Sequence, residues 1–406
     1  MHHPHKTTLA AVAMLACALP LAAQAQDGST VQIYGKLYPE IVSYRESGGT
    51  APGTQVSTLV KAPTAAQTSV SGTAMESSNS YIGFRGAEDL GGGMKAIFQL
   101  EGAIGVDDGT SKGGVLFNRD TFVGLSGGFG TLKLGGRMDT VYKSLADQIG
   151  FFGIGTGNFV SGSNIIAQGG FGSSNNERFH ERPSNTVLYA SPQYAGFQGL
   201  LGYSLGEVVG SASKGNIISV GGKYDQGPVY LALGYEEHIG LFGGSSNLAA
   251  ALSNLTNPAA ESHDKSVRAT AQYRFTTGTR VELDVANTKL AETGGAVGHF
   301  AAYRHNSMLL SADHQLGSWT LAASYGRSAA GSCALVGGAA CSTGGLDASM
   351  TSIGTAYALS KRTQLFALYS MLRNGYSANF NSASTAPAPG VGQSLRQLAT
   401  GISLRF

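Results

Sequence analysis

Apolar and polar positions alternate with a period of two from residue 31 to the last residue. In Val31-Gln32-Ile33-Tyr34-Gly35-Lys36-Leu37-Tyr38 the odd positions are mostly aliphatic and the even ones polar or aromatic-polar. At the other end Leu398, Thr400, Ile402, Leu404 and Phe406 alternate with Gln397, Ala399, Gly401, Ser403 and Arg405. Successive side chains of a strand point to opposite faces, so each such segment has one apolar and one polar face. A soluble sandwich and a membrane barrel both use this pattern, and alternation alone leaves both open.

Loop lengths separate the two. Sixteen candidate strands start near residues 31, 78, 93, 116, 129, 184, 196, 215, 228, 263, 279, 304, 317, 347, 362 and 394. Their connections alternate between tight turns such as Asp89-Leu90-Gly91-Gly92, Gly127-Gly128 and Gln226-Gly227, and long stretches near 45–77, 106–115, 138–183, 207–214, 239–262, 292–303, 329–346 and 375–393. An even number of antiparallel strands, with turns on one rim and loops on the other, predicts an all-β transmembrane antiparallel 16-stranded β-barrel. Closure removes the edges that so many strands would otherwise expose. The run from 138 to 183, with Phe151, Phe152, Phe159 and Phe171 among glycines, serines and asparagines, is too long for an ordinary connection. It is expected to fold into the lumen as a constriction loop over residues 139–183.

Composition fits a barrel. Only 13% of the 406 residues are charged and 59 are glycine, against roughly 25% charged in an ordinary soluble chain. Net charge is +2, which gives no global bias toward nucleic acid. Residues 1–25 carry a polar start with Lys6, an apolar core over 9–21 and the small-x-small site Ala23-Gln24-Ala25, the pattern of a secretory signal peptide cleaved before Gln26. The barrel domain is then 26–406, with no plug-sized domain ahead of Val31.

Particular segments resemble a family. Ser80-Tyr81-Ile82-Gly83-Phe84-Arg85-Gly86-Ala87-Glu88-Asp89-Leu90-Gly91-Gly92-Gly93-Met94-Lys95-Ala96-Ile97-Phe98-Gln99-Leu100-Glu101 is similar to the second and third strands of trimeric general porins of Gram-negative outer membranes, in the β-proteobacterial branch. So are Phe117-Asn118-Arg119-Asp120-Thr121-Phe122-Val123-Gly124-Leu125 with Gly127-Gly128-Phe129-Gly130, Asn185-Thr186-Val187-Leu188-Tyr189-Ala190-Ser191-Pro192, and the terminal Phe406. The resemblance covers the mature chain and implies a homotrimeric passive diffusion channel for small hydrophilic solutes and ions, set in outer-membrane lipid and lipopolysaccharide. Tyr81 stands where the family often has a basic residue, so at most a mild anion preference is implied.

Parity assigns the polar faces. Ile82 and Phe84 outward put Tyr81, Gly83 and Arg85 inward; Phe98 and Leu100 outward put Lys95, Gln99 and Glu101 inward; Leu132 and Leu134 outward put Lys133 and Arg137 inward. Phe122 outward would put Arg119 inward, and Lys36 and Glu40 face in on the first strand. A charge on the lipid face at mid-bilayer costs about 2–4 kcal/mol, which supports these assignments. The expected pore wall is therefore Lys36, Arg85, Glu101, Arg119, Lys133 and Arg137, with Arg182 after the loop. The loop itself carries Asp139, Asp147, Glu177 and Glu181, and a basic wall facing an acidic loop would set a transverse field.

Cys333 and Cys341 share one predicted external loop in an oxidising compartment, where a disulfide is expected. No metal site and no cofactor are expected. The histidines are scattered and no Gly-x-Ser-x-Gly elbow occurs, so no enzyme is predicted; isolated histidines near loops are expected to face solvent. Tyr34, Tyr38, Tyr203, Tyr224, Tyr230, Tyr273, Tyr325, Tyr357 and Phe406 fall at a spacing that suits interfacial girdles. A solute-specific channel and a non-conducting adhesive or structural barrel are the alternatives.

Overall fold

A computed structural model describes residues 30–77, 79–150, 163–166, 179–209, 214–381 and 388–406. The expected signal peptide and Glu177 lie outside the described residues. Sixteen antiparallel strands close on themselves within that set. They are β1 (Thr30–Leu37 and Glu40–Gly48), β2 (Ser71–Glu76 and Tyr81–Gly91), β3 (Met94–Ala103), β4 (Thr121–Gly127), β5 (Gly130–Gly136), β6 (Thr186–Ala190), β7 (Phe197–Ser204), β8 (Asn216–Gln226), β9 (Val229–Ile239), β10 (Glu261–Arg274), β11 (Thr279–Thr293), β12 (Phe300–Leu316), β13 (Trp319–Ser328, continued by Ser332–Leu335), β14 (Ala348–Ala358), β15 (Thr363–Asn374) and β16 (Gln393–Arg405). The last strand pairs with the first, Lys36 opposite Arg405 and Thr400 opposite Ile41. Gly35 and Phe406 exchange both backbone hydrogen bonds at the seam.

The outer face is apolar for a physical reason: lipid cannot hydrogen-bond, so strands expose Val31, Ile33, Val123, Leu134, Leu231, Leu283, Leu310 and Leu398 there. Two strand starts differ from the sequence reading by five residues or more. The second strand begins at Ser71, not near 78, because β1 and β2 both break at one level, around Pro39 and around 77–80, and resume pairing on either side. At the break the Tyr38 amide donates to Ser80 Oγ at 2.8 Å, and its ring stacks on Phe366 at 4.7 Å. The fourth strand begins at Thr121, not near 116; a single 3-10 turn at Lys112–Gly114 occupies the stretch before it.

The third loop enters the barrel. Its first turn, α1 (Val141–Ser144), is capped by Thr140, whose hydroxyl accepts from the Lys143 amide. Val141, Tyr142 and Leu145 press into the inner wall of β7–β9, where the facing residues are glycines. A Cβ at Gly221 would sit 2.4 Å from Leu145 Cδ1, and one at Gly234 would sit 3.3 Å from the Tyr142 Cα. The Tyr142 amide donates to Ser219 Oγ at 2.9 Å, and the Tyr230 hydroxyl donates to the Leu145 carbonyl at 2.9 Å. A second turn, α2 (Ser163–Ile166), reaches β12–β14: Ile165 lies over Gly326, and Ser307 Oγ donates to the Ile166 carbonyl at 3.3 Å.

On the external rim Cys333 and Cys341 form the expected disulfide, with Cα atoms 5.7 Å apart. Beside it the first loop (49–70), the seventh (336–347) and the eighth (375–392) are stitched together. Thr58 N–H donates to the Ser342 carbonyl at 2.9 Å, Ser342 N–H to Thr58 Oγ1 at 2.9 Å and Ser57 N–H to Ser377 Oγ at 2.8 Å.

Substituting Gly221 by Val should leave the barrel closed but displace α1 from the wall, at about 1–3 kcal/mol in stability. Hydrogen exchange over residues 141–149 should rise while the strand amides stay protected; unchanged protection of that segment would contradict the glycine-seat account.

Candidate functional site

The inward faces of β1–β5 carry cations, aromatic rings and the carboxylates Glu40, Glu76 and Glu101. Tyr34 hydroxyl donates to Glu101 Oε2 at 2.9 Å, and Arg119 Nε donates to Glu101 Oε1. The Arg119 guanidinium lies 4.6 Å from the Tyr81 ring centre, and Lys36 Nζ lies 5.8 Å from the same ring and 5.4 Å from that of Tyr38. Arg85 stacks at 4.5 Å on Tyr34 and donates from Nε to Gln32 Oε1 at 3.0 Å. Lys133 Nζ sits 4.3 Å from the Phe122 ring centre. Each contact is worth about 0.5–2 kcal/mol, enough to hold a long cationic side chain against its wall. Lys36, Arg85, Glu101, Arg119 and Lys133 therefore share one inner surface.

A second cluster joins the two ends of the loop. Arg182 donates to Asp120 Oδ1 at 2.8 Å and to Asp139 Oδ2 at 3.0 Å, and Lys143 Nζ lies 2.7 Å from Asp139 Oδ1. Burial pushes the Asp139 carboxyl up, but Lys143 and Arg182 outweigh it and hold the group below the usual aspartate range. Burial raises Asp120, against the pull of Arg182. Glu181 adds to the field on Lys143.

The opposite wall is acidic, which the sequence reading missed. Glu236, Asp264, Glu282, Asp284 and Glu292 are all buried on the inner face of β9–β11. They bind loop backbone: Glu282 Oε1 accepts from the Gln148 amide at 2.7 Å, Asp264 Oδ2 from Gly243 at 2.9 Å, and Glu292 Oε1 from Ser245 at 2.8 Å. The signal was available in Ser262-x-Asp264-x-Ser266-x-Arg268-x-Thr270-x-Gln272, where every second residue is polar.

Several expectations change. Phe122 faces inward, since Val123 and Leu125 are the exposed residues of β4. Arg119 lies outside that strand, so its pairing with Glu101, not parity, turns it inward. Arg137 follows the end of β5 with φ 58°, which breaks alternation and removes the basis for placing it on the inner wall. Asp147 belongs beside Glu282 and Asp284, its amide 3.4 Å from Asp284 Oδ1, so it does not face the basic wall. Asp139 is neutralised within the loop's own cluster. The predicted opposition of basic wall and acidic loop is in fact basic wall against acidic wall, with the loop bound to the latter. Tyr34, Tyr38 and Tyr230 are buried on the inner face and leave the girdle to Tyr203, Tyr224, Tyr273, Tyr325, Tyr357 and Phe406, joined by Trp319 and Tyr194. His238 and His305 are buried, bonded to Glu236 at 3.0 Å and Ser328 at 3.0 Å, and do not face solvent.

Comparison with known proteins bears on this geometry. A family profile described as Gram-negative porin matches residues 9–376. Outer membrane porin protein 32 of Delftia acidovorans is 38% identical over 170 residues, 41% of this chain and 47% of that protein. Major outer membrane protein P.IB of Neisseria lactamica is 31% identical over 235 residues, 57% of this chain and 58% of that one. The chain spans about half the length of these curated relatives. Among solved structures, the anion-selective porin from Comamonas acidovorans superposes with a TM-score of 0.67 at 24% identity, covering 93% of this chain and all (100%) of that one. OmpT of Vibrio cholerae in trimer form gives 0.59 at 14% identity, covering 94% and 100%. At these identities the structural likeness is one of fold.

Because the folded state holds Asp139 below its ordinary value of 3.8, its contribution is fully present above that pH and is lost as pH falls through the lower folded value. Hydrogen exchange over residues 138–149 should stay slow at pH 7 and rise only below the ordinary aspartate range. Asp139→Asn should show the fast exchange already at pH 7; equal protection in the variant would mean that the cluster does not hold the loop.

Proposed function

The chain belongs to the Gram-negative porin family, and on that footing we propose that it forms a water-filled outer-membrane channel for passive diffusion of small hydrophilic solutes and ions. One observation carries the reading. The described parts of the third loop are bonded to β7–β9, β11 and β12–β14, which leaves the passage to run along the inner face of β1–β5, where Arg85, Arg119 and Lys133 stand. Screening decays over roughly 8 Å in physiological salt, so a solute confined to such a passage feels the wall charges. Arg119 is largely offset by Glu101, and Arg182 by Asp120 and Asp139, and with Glu40 and Glu76 on the same wall the remaining Arg85 and Lys133 give only a mild anion preference. The girdled outer face sits in lipid and lipopolysaccharide. The chain assembles as a homotrimer after export and cleavage before Gln26. Catalysis has no part in this role.

Purified protein in planar bilayers should give large conductance steps that do not saturate with solute and that close in threes. The reversal potential in a salt gradient should move toward cations in Arg85→Ser and Lys133→Ser, and toward anions in Glu101→Gln, which unmasks Arg119. Folded protein without conductance would overturn the channel reading. Conductance blocked by low concentrations of one organic anion would favour the solute-specific alternative, for which the aromatic-backed cations would be the binding track.

A further inference from the structure

On the turn-side rim two arginines face each other across neighbouring strands. Arg274 ends β10, Arg280 lies near the start of β11, and the two are register partners joined by the tight turn 275–278. Parity places both on the inner face, with Gln272 and Glu282 as the next inward residues. On the outside of the wall at this level stand Tyr273 and Trp319 of the aromatic girdle. The arginine pair therefore sits at the membrane interface, at the mouth of the lumen.

Like charges directly opposite on adjacent strands repel, and here each guanidinium is held from its far side. Arg280 donates from Nε to Asp313 Oδ1 of β12 at 2.9 Å and from Nη2 to Asp313 Oδ2. Arg274 donates from Nη1 to Asp225 Oδ1 of β8 at 2.8 Å and from Nε to Gln272 Oε1 at 2.9 Å. Across the sheet the row reads carboxylate, guanidinium, guanidinium, carboxylate. Among the described residues nothing accepts from Arg274 Nη2 or Arg280 Nη1, and both side chains are 36% exposed. Beside them opens a pocket of about 340 Å³ lined by both arginines, Asp313, Gln315 and Thr320, the last two a register pair of β12 and β13. Glu282, one step further in, is already engaged by the Gln148 backbone amide and the Gln272 side-chain amide.

We infer that this pocket binds a small hydroxylated carboxylate, a sugar acid in chemical class. Its carboxylate bridges Arg274 Nη2 and Arg280 Nη1 and supplies the anion that the two facing guanidiniums lack; the planar fork of arginine suits that geometry. Its hydroxyls meet the Gln315 amide and the Thr320 hydroxyl on the far side of the pocket. A neutral sugar leaves the guanidinium donors unmet, and a bare inorganic anion leaves the polar far side empty. The site is separate from the basic wall of β1–β5. It goes beyond the channel reading by adding an anion station where the lumen meets the turn-side compartment, and binding there does not depend on whether the lumen conducts.

The test uses the purified full-length protein in detergent, with gluconate as the probe and affinity read by isothermal titration calorimetry. Arg274→Gln, which keeps Arg280 and its bonds to the buried Asp313, should weaken gluconate about tenfold or more, the effect of losing a hydrogen bond to a charged group. Gln315→Leu, which leaves every charge in place, should weaken it about threefold, as for a neutral hydrogen bond, and leave acetate unaffected. Glucose should not compete. Unchanged gluconate affinity in Arg274→Gln would overturn the inference, as would acetate or inorganic phosphate bound as tightly as gluconate. An equal loss in Arg85→Ser would put the ligand on the wall of β1–β5 and overturn it as well. Conductance in planar bilayers separates the two readings: protein that binds gluconate yet passes no current would sink the channel reading and leave this site standing, and current without gluconate binding would do the reverse.

Discussion

Every backbone N–H and C=O inside the hydrocarbon needs a partner within the protein, because lipid offers none. The closed ladder from β1 to β16 meets that demand, and the remaining architecture follows from it. Once the sheet is closed, each strand has one face in lipid and one in the lumen, so a single chain must be apolar and polar at alternate residues for most of its length. The seam is the sensitive point, since Gly35 and Phe406 exchange backbone bonds there and the Phe406 ring lies where a Cβ on Gly35 would be. The breaks in β1 and β2 lie at matching levels, so each half of β1 keeps pairing with a half of β2.

Within that cylinder the third loop is held asymmetrically. Glycines on β8 and β9 allow the backbone of α1 to approach the wall, and buried carboxylates on β11 accept the amides of Asp147 and Gln148 just beyond it. The described start of the loop therefore lies on the acidic side. Arg182 closes the arrangement by joining Asp120, just ahead of β4, to Asp139 at the loop's entry. Charges that appear equivalent in sequence divide into two groups: those absorbed into fixing the loop, and those left to act on whatever passes.

The barrel was legible because its constraint acts residue by residue. Alternation, turn chemistry and loop length each report the same closed sheet, and strand parity puts Lys36, Arg85, Glu101 and Lys133 on the face away from the exposed aliphatic residues. Parity failed where the strand ended. Arg119 precedes β4 and Arg137 follows β5 with positive φ, so their directions depend on tertiary partners. Phe122 was misassigned because an aromatic residue suits lipid and lumen alike, and only the neighbouring Val123 and Leu125 decide the face. The acidic wall was visible as polar positions on β9–β11, but what those carboxylates hold comes from loops distant in sequence.

The stitching of the first, seventh and eighth loops has a consequence for how the surface can change over generations. External loops of such a barrel are usually free to lengthen or shorten one at a time, since each connects only its own pair of strands. Here Ser57 and Thr58 are bonded to Ser342 and Ser377, and the Cys333–Cys341 bridge fixes the strand extension beside Ser342. An insertion in one of the three loops would pull on the other two. The three should therefore diverge as a block among related sequences, while the fifth loop, bonded to β10 by Asp264, to β11 by Glu292 and to Gly294 and Phe300 by Asn257 and Asn254, should covary with the sixth.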